Sequence, residues 1–156
     1  MKILGIDPGT ATIGYGLIET KGSKAVCLDV GAVTTPKNEA DSWRLERIYK
    51  EITSLIKKHK PQLIVLEKIY FSKNIKTAIT VAQARGVIML AAELAGTKIF
   101  ECSPQDVKIA VTGYGKADKK QVQSMVKTLL NLKSVPKPDD AADALAAALA
   151  GMNRRF

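Results

Sequence analysis

The stretch 2–18, KILGIDPGTATIGYGLI, constrains the fold more than any other part of the chain. Ile3, Leu4 and Ile6 form a short apolar run of the kind that a strand covered on both faces needs. Asp7 ends the run, and Pro8-Gly9 follows as a turn signal. Gly14 and Gly16 fall in the returning segment, where glycine marks a bulge or a close backbone approach. The pattern predicts two paired strands that carry a carboxylate to the rim of a sheet. A carboxylate there costs free energy unless something compensates its charge. An aspartate that merely bonds its own turn amides would fit the same local pattern. The meaning of Asp7 therefore depends on what else reaches that rim.

The remainder alternates strands and helices. Residues 24–35 read as a third strand, with Val26, Leu28 and Val30 alternating. Asp41 or Ser42 can cap a helix to about His59, with Leu45, Ile48, Ile52, Leu55 and Ile56 as its buried stripe. Residues 62–67, QLIVLE, are a second short apolar run ending in an acid, as in a parallel strand covered on both faces. A loop at 68–75 precedes a long helix at 76–95. Ile79, Gln83, Val87, Leu90 and Leu94 form its register, and Gly86 in its middle calls for a packing reason. Residues 97–102 read as a fifth strand, and Ser103-Pro104 as a helix start. A glycine-broken loop at 112–117 leads to a helix at about 118–132, with Val122, Met125, Val126, Leu129 and Leu130 inward. An alanine-rich helix closes the pattern, from near Asp139 to Gly151. The order β-β-β-α-β-α-β-α-α-α predicts an α/β fold, one domain over 1–156, with a mixed five-stranded sheet and helices on both faces.

Lysine and arginine number 24 against 15 acids, a net charge of +9, which favours a polyanionic partner such as nucleic acid. Cys27 and Cys102 lie far apart, with neither metal-ligand spacing nor a disulfide framework. They read as buried free thiols of a reducing compartment, the cytoplasm. His59 is the single histidine, so a His-based metal site has little to build on, and it reads as a solvated helix-end residue. No signal peptide is expected, and no apolar run approaches the ~20 residues of a membrane span.

Asp7 and Glu67 each end an apolar strand. If those strands are parallel neighbours, both acids emerge at one rim, where ligand sites of open α/β sheets lie. Asp140 and Asp143, three apart, share a helix face, and the rest of that helix after Asp140 is alanine and leucine. Asp139, four before Asp143, shares the same face, so periodicity does not choose between Asp139 and Asp140. Four carboxylates at one rim repel one another strongly. Divalent cations resolve that repulsion: Mg²⁺ takes oxygen ligands, and two such ions about 4 Å apart can activate water and stabilise the leaving oxygen of a phosphodiester.

These residues resemble the RuvC family of Holliday-junction endonucleases, which has the ribonuclease H-like fold. The resemblance rests on GIDPGTATIGYG at 5–16, VLEKIYFSKN at 65–74, QARGV at 83–87, SPQDVKIAVTGYGKADKKQV at 103–122 and DAADALA at 140–146, nearly the whole chain. It selects Asp140 over Asp139, which becomes an N-cap or flanking residue. It implies catalytic, metal-binding roles for Asp7, Glu67, Asp140 and Asp143, with two Mg²⁺ ions per site and Mn²⁺ as a substitute. It further implies a homodimer that cuts symmetric strands of a four-way junction, with the RuvA–RuvB branch-migration complex as partner. Tyr70 stands where the family often has phenylalanine.

Lys68, Lys73 and Lys76 flank Tyr70 and Phe71, while Lys108, Lys116, Lys119 and Lys120 gather around the second loop. Basic side chains interleaved with aromatics suit phosphate contact and base stacking. Tyr70, Lys73, Lys76, Lys108, Lys116, Lys119 and Lys120 are therefore the candidate DNA contacts. By resemblance, Lys108 and Lys119 sit near the active site, where Lys119 holds a phosphate or helps to protonate the leaving group. Asp-Pro-Gly-Thr also resembles the phosphate loop of sugar kinases and actin-like ATPases, but those need a second glycine-rich loop and a second domain. Other ribonuclease H-like nucleases share the acids, and a non-catalytic junction-binding module would not need four of them.

Overall fold

The computed structural model describes residues 1–9, 11–69 and 75–152. Three strands, β1 (Lys2–Pro8), β2 (Thr12–Lys21) and β3 (Lys24–Thr34), form an antiparallel meander. Then follow α1 (Asp41–His59), β4 (Leu63–Glu67), α2 (Ile75–Leu94), β5 (Lys98–Cys102), α3 (Pro104–Thr112), α4 (Lys119–Leu129) and α5 (Asp139–Ala150). The sheet order is β3-β2-β1-β4-β5, with β4 parallel to both β1 and β5. The expected mixed five-stranded sheet is thus present, with β1 at its centre.

Side-chain alternation divides the core into two layers. Leu4, Ile6, Ile64 and Leu66 pack with Ile48, Ile52 and Ile56 of α1 and Ala84, Ile88, Ala91 and Ala92 of α2. Ile3, Leu63 and Val65 pack on the other face, with α3, α4 and α5. Alpha5 lies unusually close to the sheet because glycines on the strands let it. A Cβ on Gly5 would collide with the Ala144 carbonyl and lie 2.6 Å from the Ala148 nitrogen, and one on Gly16 would lie 2.7 Å from Leu145 Cγ. Gly5 and Gly16 are paired across the ladder, so β1 and β2 offer one smooth patch to an alanine-rich helix.

Several local expectations are corrected. Ala40, not Asp41 or Ser42, is the N-cap of α1. In α2 the buried positions include the alanines at 78, 84, 91 and 92 with Ile88, while Ile79, Leu90 and Leu94 are exposed. The helix is apolar around its circumference, so periodicity could not choose its inner face, and the small side chains went inward. Thr77–Leu94 is also long and apolar enough by length and composition to cross a membrane, contrary to expectation. Here it lies on the sheet, and Arg85 within it pairs with Glu101 of β5. In β3 a bulge opposite Leu17 and Ile18 shifts the phase. Ala25, Cys27 and Val30 therefore pack toward α5 while Val33 packs toward α1, and Val26 and Leu28 are exposed. Leu129 is exposed rather than inward. Cys102 is buried as expected, whereas Cys27 is only half-buried. His59 is not a solvated helix end: its Nε2 lies 2.9 Å from Asp29 Oδ2, and little of its side chain reaches solvent.

Candidate active site

The parallel register of β1 and β4 pairs Ile6 with Leu66, which brings the next residues, Asp7 and Glu67, to one rim. Both continue the series Ile3–Gly5 and Leu63–Val65 that faces α5, so alternation aims both acids at the same side of the sheet. The first turns of α5 complete the group. Asp7 is paired with Gly14 across the β1–β2 ladder. A Cβ on Gly14 would collide with the Asp140 carbonyl, and one on Gly9 would lie 3.6 Å from Asp140 Oδ1. The glycines of the opening hairpin therefore seat Asp140 beside Asp7.

Glu67 joins two adjoining clefts of about 210 Å³ each. One contains Asp7, Pro8 and Thr77; the other contains Lys108, Lys119 and Asp143. A larger, mostly apolar cleft of about 1170 Å³ lies at the opposite end of the sheet, among Met1, Ile56, Pro61 and Met152, and holds none of the four acids. The chemistry belongs to the smaller pair, because Asp7, Glu67 and Asp143 line it.

That field is strong. Burial, then the charges of Asp143, Glu67 and Asp140, push the Asp7 carboxyl up to about 7, against a partial offset by Lys119. Burial also raises Glu67, with Asp143 adding to the effect and Lys108 and Lys119 opposing it. Asp143 Oδ2 accepts a hydrogen bond from Lys119 Nζ at 2.9 Å, and this bond is the main cause that raises the Lys119 ammonium. Among the described residues, no three His, Cys, Asp or Glu side chains stand as a ready-made metal cluster. The donor chemistry nevertheless fits a hard divalent cation: all four acids offer oxygen, and their repulsion is under-compensated by the protein's own charges.

The structure thus draws together Asp7, Glu67, Asp140 and Asp143 with Lys108 and Lys119. Lys116 and Lys120 are exposed and do not line the acidic clefts. Tyr70 and Lys73, and the side chain of Lys76, lie outside the described residues. Asp139 is not the N-cap of α5, a place taken by Pro138. Asp139 instead lies 3.3 Å from Lys137 Nζ and 3.6 Å from Lys119 Nζ, a role missed in the sequence although its spacing of four from Asp143 was the signal. Tyr114 was also passed over. Its ring is exposed, while its backbone N–H donates to Thr112 Oγ1 at 3.1 Å and its carbonyl accepts from the Ala117 N–H. The Gly-Tyr-Gly sequence between α3 and α4 was the available hint.

A family model described as crossover junction endodeoxyribonuclease RuvC matches residues 3–151. The protein of that description from Clostridioides difficile (strain 630) is 56% identical over 149 residues, covering 96% of this chain and 88% of the relative. A structure of Thermus thermophilus RuvC superposes with a TM-score of 0.89 at 35% identity, covering 96% of this chain and 92% of that one. T. thermophilus RuvC in complex with Holliday junction substrate superposes with a TM-score of 0.89 at 32% identity, with the same coverage.

Proposed function

Because the chain belongs to the RuvC family of crossover junction endodeoxyribonucleases, we propose that it resolves four-way (Holliday) DNA junctions by hydrolysing phosphodiester bonds during recombination and repair. The observation that carries the mechanism is the field around Asp7, a carboxyl held near neutrality by burial and three acids from two other elements. Asp7, Glu67, Asp140 and Asp143 hold divalent cations, Mg²⁺ by preference with Mn²⁺ as a substitute. Bound there, the cations would supply activation of the attacking water and stabilisation of the leaving oxygen. The four carboxylates position the cations. Lys108 and Lys119, on the wall of the Glu67–Asp143 cleft, hold the strand through its phosphates. Lys73, Lys76, Lys116 and Lys120 extend that contact along the DNA, and Tyr70 stacks on a base at the unpaired centre.

Symmetric cutting of a junction needs two sites, and the outward face of α2 supports a homodimer. Ile79, Leu90 and Leu94 are each more than half exposed there, and a Cβ on Gly86 would meet nothing within 4 Å. The packing reason expected for Gly86 is therefore absent within the described chain. A C₂ partner helix crossing at that position supplies one.

The direct test is cutting of a synthetic four-way junction, a linear duplex of the same sequence and an RNA–DNA hybrid, each with and without Mg²⁺. Paired, Mg²⁺-dependent cuts confined to the junction support this reading. Preferential cutting of the hybrid would move the protein to another ribonuclease H-like activity.

A further inference from the structure

Asp143 lines the cleft with Glu67 and Lys119, and its charge acts on Asp7 and on Glu67 alike. Yet it does not stand free. Lys119 Nζ donates to its Oδ2 at 2.9 Å, and the same nitrogen lies 3.6 Å from Asp139 Oδ2. The backbone that carries Lys119 is fixed. Asp118 caps α4, with its side chain accepting from the Gln121 N–H and the Gln121 side chain accepting from the Asp118 N–H. The side chain itself is 53% exposed, so its tip has a path to solvent. Lys108 lies in the same cleft and acts on Glu67 through space, and no hydrogen bond joins it to an acid among the described contacts.

A carboxylate oxygen at hydrogen-bond distance from an ammonium is poorly placed to take a divalent cation at about 2.1 Å, because the two cations would then repel at short range. We propose that Lys119 is an internal counter-ion: it occupies Asp143 in the metal-free site, competes with the divalent cation for that carboxylate, and moves off when the cation binds. Asp139 is the alternative partner that keeps the displaced ammonium at the mouth of the site, where an incoming phosphate also finds it. This inference rests on the metal site proposed above.

The test is Mn²⁺ binding by calorimetry on the DNA-free, full-length protein, which reads affinity rather than cutting. Lys119→Met should bind Mn²⁺ about fivefold more tightly or better. Lys119→Arg, which keeps the ammonium-like partner of Asp143, should stay near the wild-type affinity. Lys108→Met removes a nearby positive charge without breaking a bond to Asp143, so it should tighten binding by less than about twofold. Equal affinity in wild type and Lys119→Met would overturn the competition and leave the metal site standing. Equal tightening in Lys108→Met and Lys119→Met would also overturn it, in favour of a general charge effect. Mn²⁺ binding to none of the four proteins would overturn it together with the metal site.

Discussion

Asp7 and Asp140 meet over a glycine: Asp7 pairs with Gly14 across the β1–β2 ladder, and the Asp140 carbonyl rests on Gly14. The distance between two candidate ligands is therefore set by a residue with no functional group. Gly14→Ala should push α5 outward at its first turn, with a cost of about 1–3 kcal/mol in stability. Gly5→Ala strikes α5 further along, at Ala144 and Ala148, and should cost a similar amount. The two differ in function. At a temperature where both are fully folded, Gly14→Ala should lose more of its junction cutting, since it displaces Asp140 itself. Denaturant unfolding beside a cutting assay separates the two effects.

The Asp7 carboxyl makes the metal-free protein sensitive to pH. Its ordinary value is 3.8, and in the fold it is raised to about 7. Between those values the folded protein holds a proton that the unfolded chain has released. Stability contributed by this group is thus fully present below about pH 4 and is lost as pH rises through about 7. Asp7→Asn should remove this loss. In EDTA, the mutant should melt above the wild type at pH 8, and the gap should shrink as the pH falls toward 5. A gap that is constant across that range would show that Asp7 does not titrate there.

The exposed face of α2 predicts an oligomer that two charges should break. Leu90→Glu with Leu94→Glu places like charges on an outward patch and leaves the inward alanines untouched. Sedimentation should shift from dimer to monomer, with far-ultraviolet circular dichroism unchanged. A wild-type protein that sediments as a monomer, both free and on a junction, would rule out the dimer.

The reach of the sequence differs from element to element, for physical reasons. The two acid-ended strands were legible because an apolar run covered on both faces has few alternatives, and the glycines of the hairpin pointed to the close approach that α5 makes. The inner face of α2 was hidden because a helix that is apolar all round has no preferred side. The phase of β3 was hidden by a bulge, which leaves no mark in a two-residue period. The His59–Asp29 contact was hidden because it joins positions 30 residues apart with no shared pattern. Asp140 and Asp139 could not be separated by spacing. Family resemblance chose Asp140, and the structure adds that Asp139 turns to Lys119 and Lys137.

The most direct measurement of the central claim is the cutting rate of Asp7→Asn on a four-way junction at saturating Mg²⁺, with junction affinity measured on the same preparation. Asparagine keeps the shape of the side chain and removes its charge, so the fold and the lysine contacts are retained. The account predicts a fall in cutting of about a thousandfold or more, with junction binding changed by less than about threefold. Cutting at the wild-type rate by Asp7→Asn would contradict it.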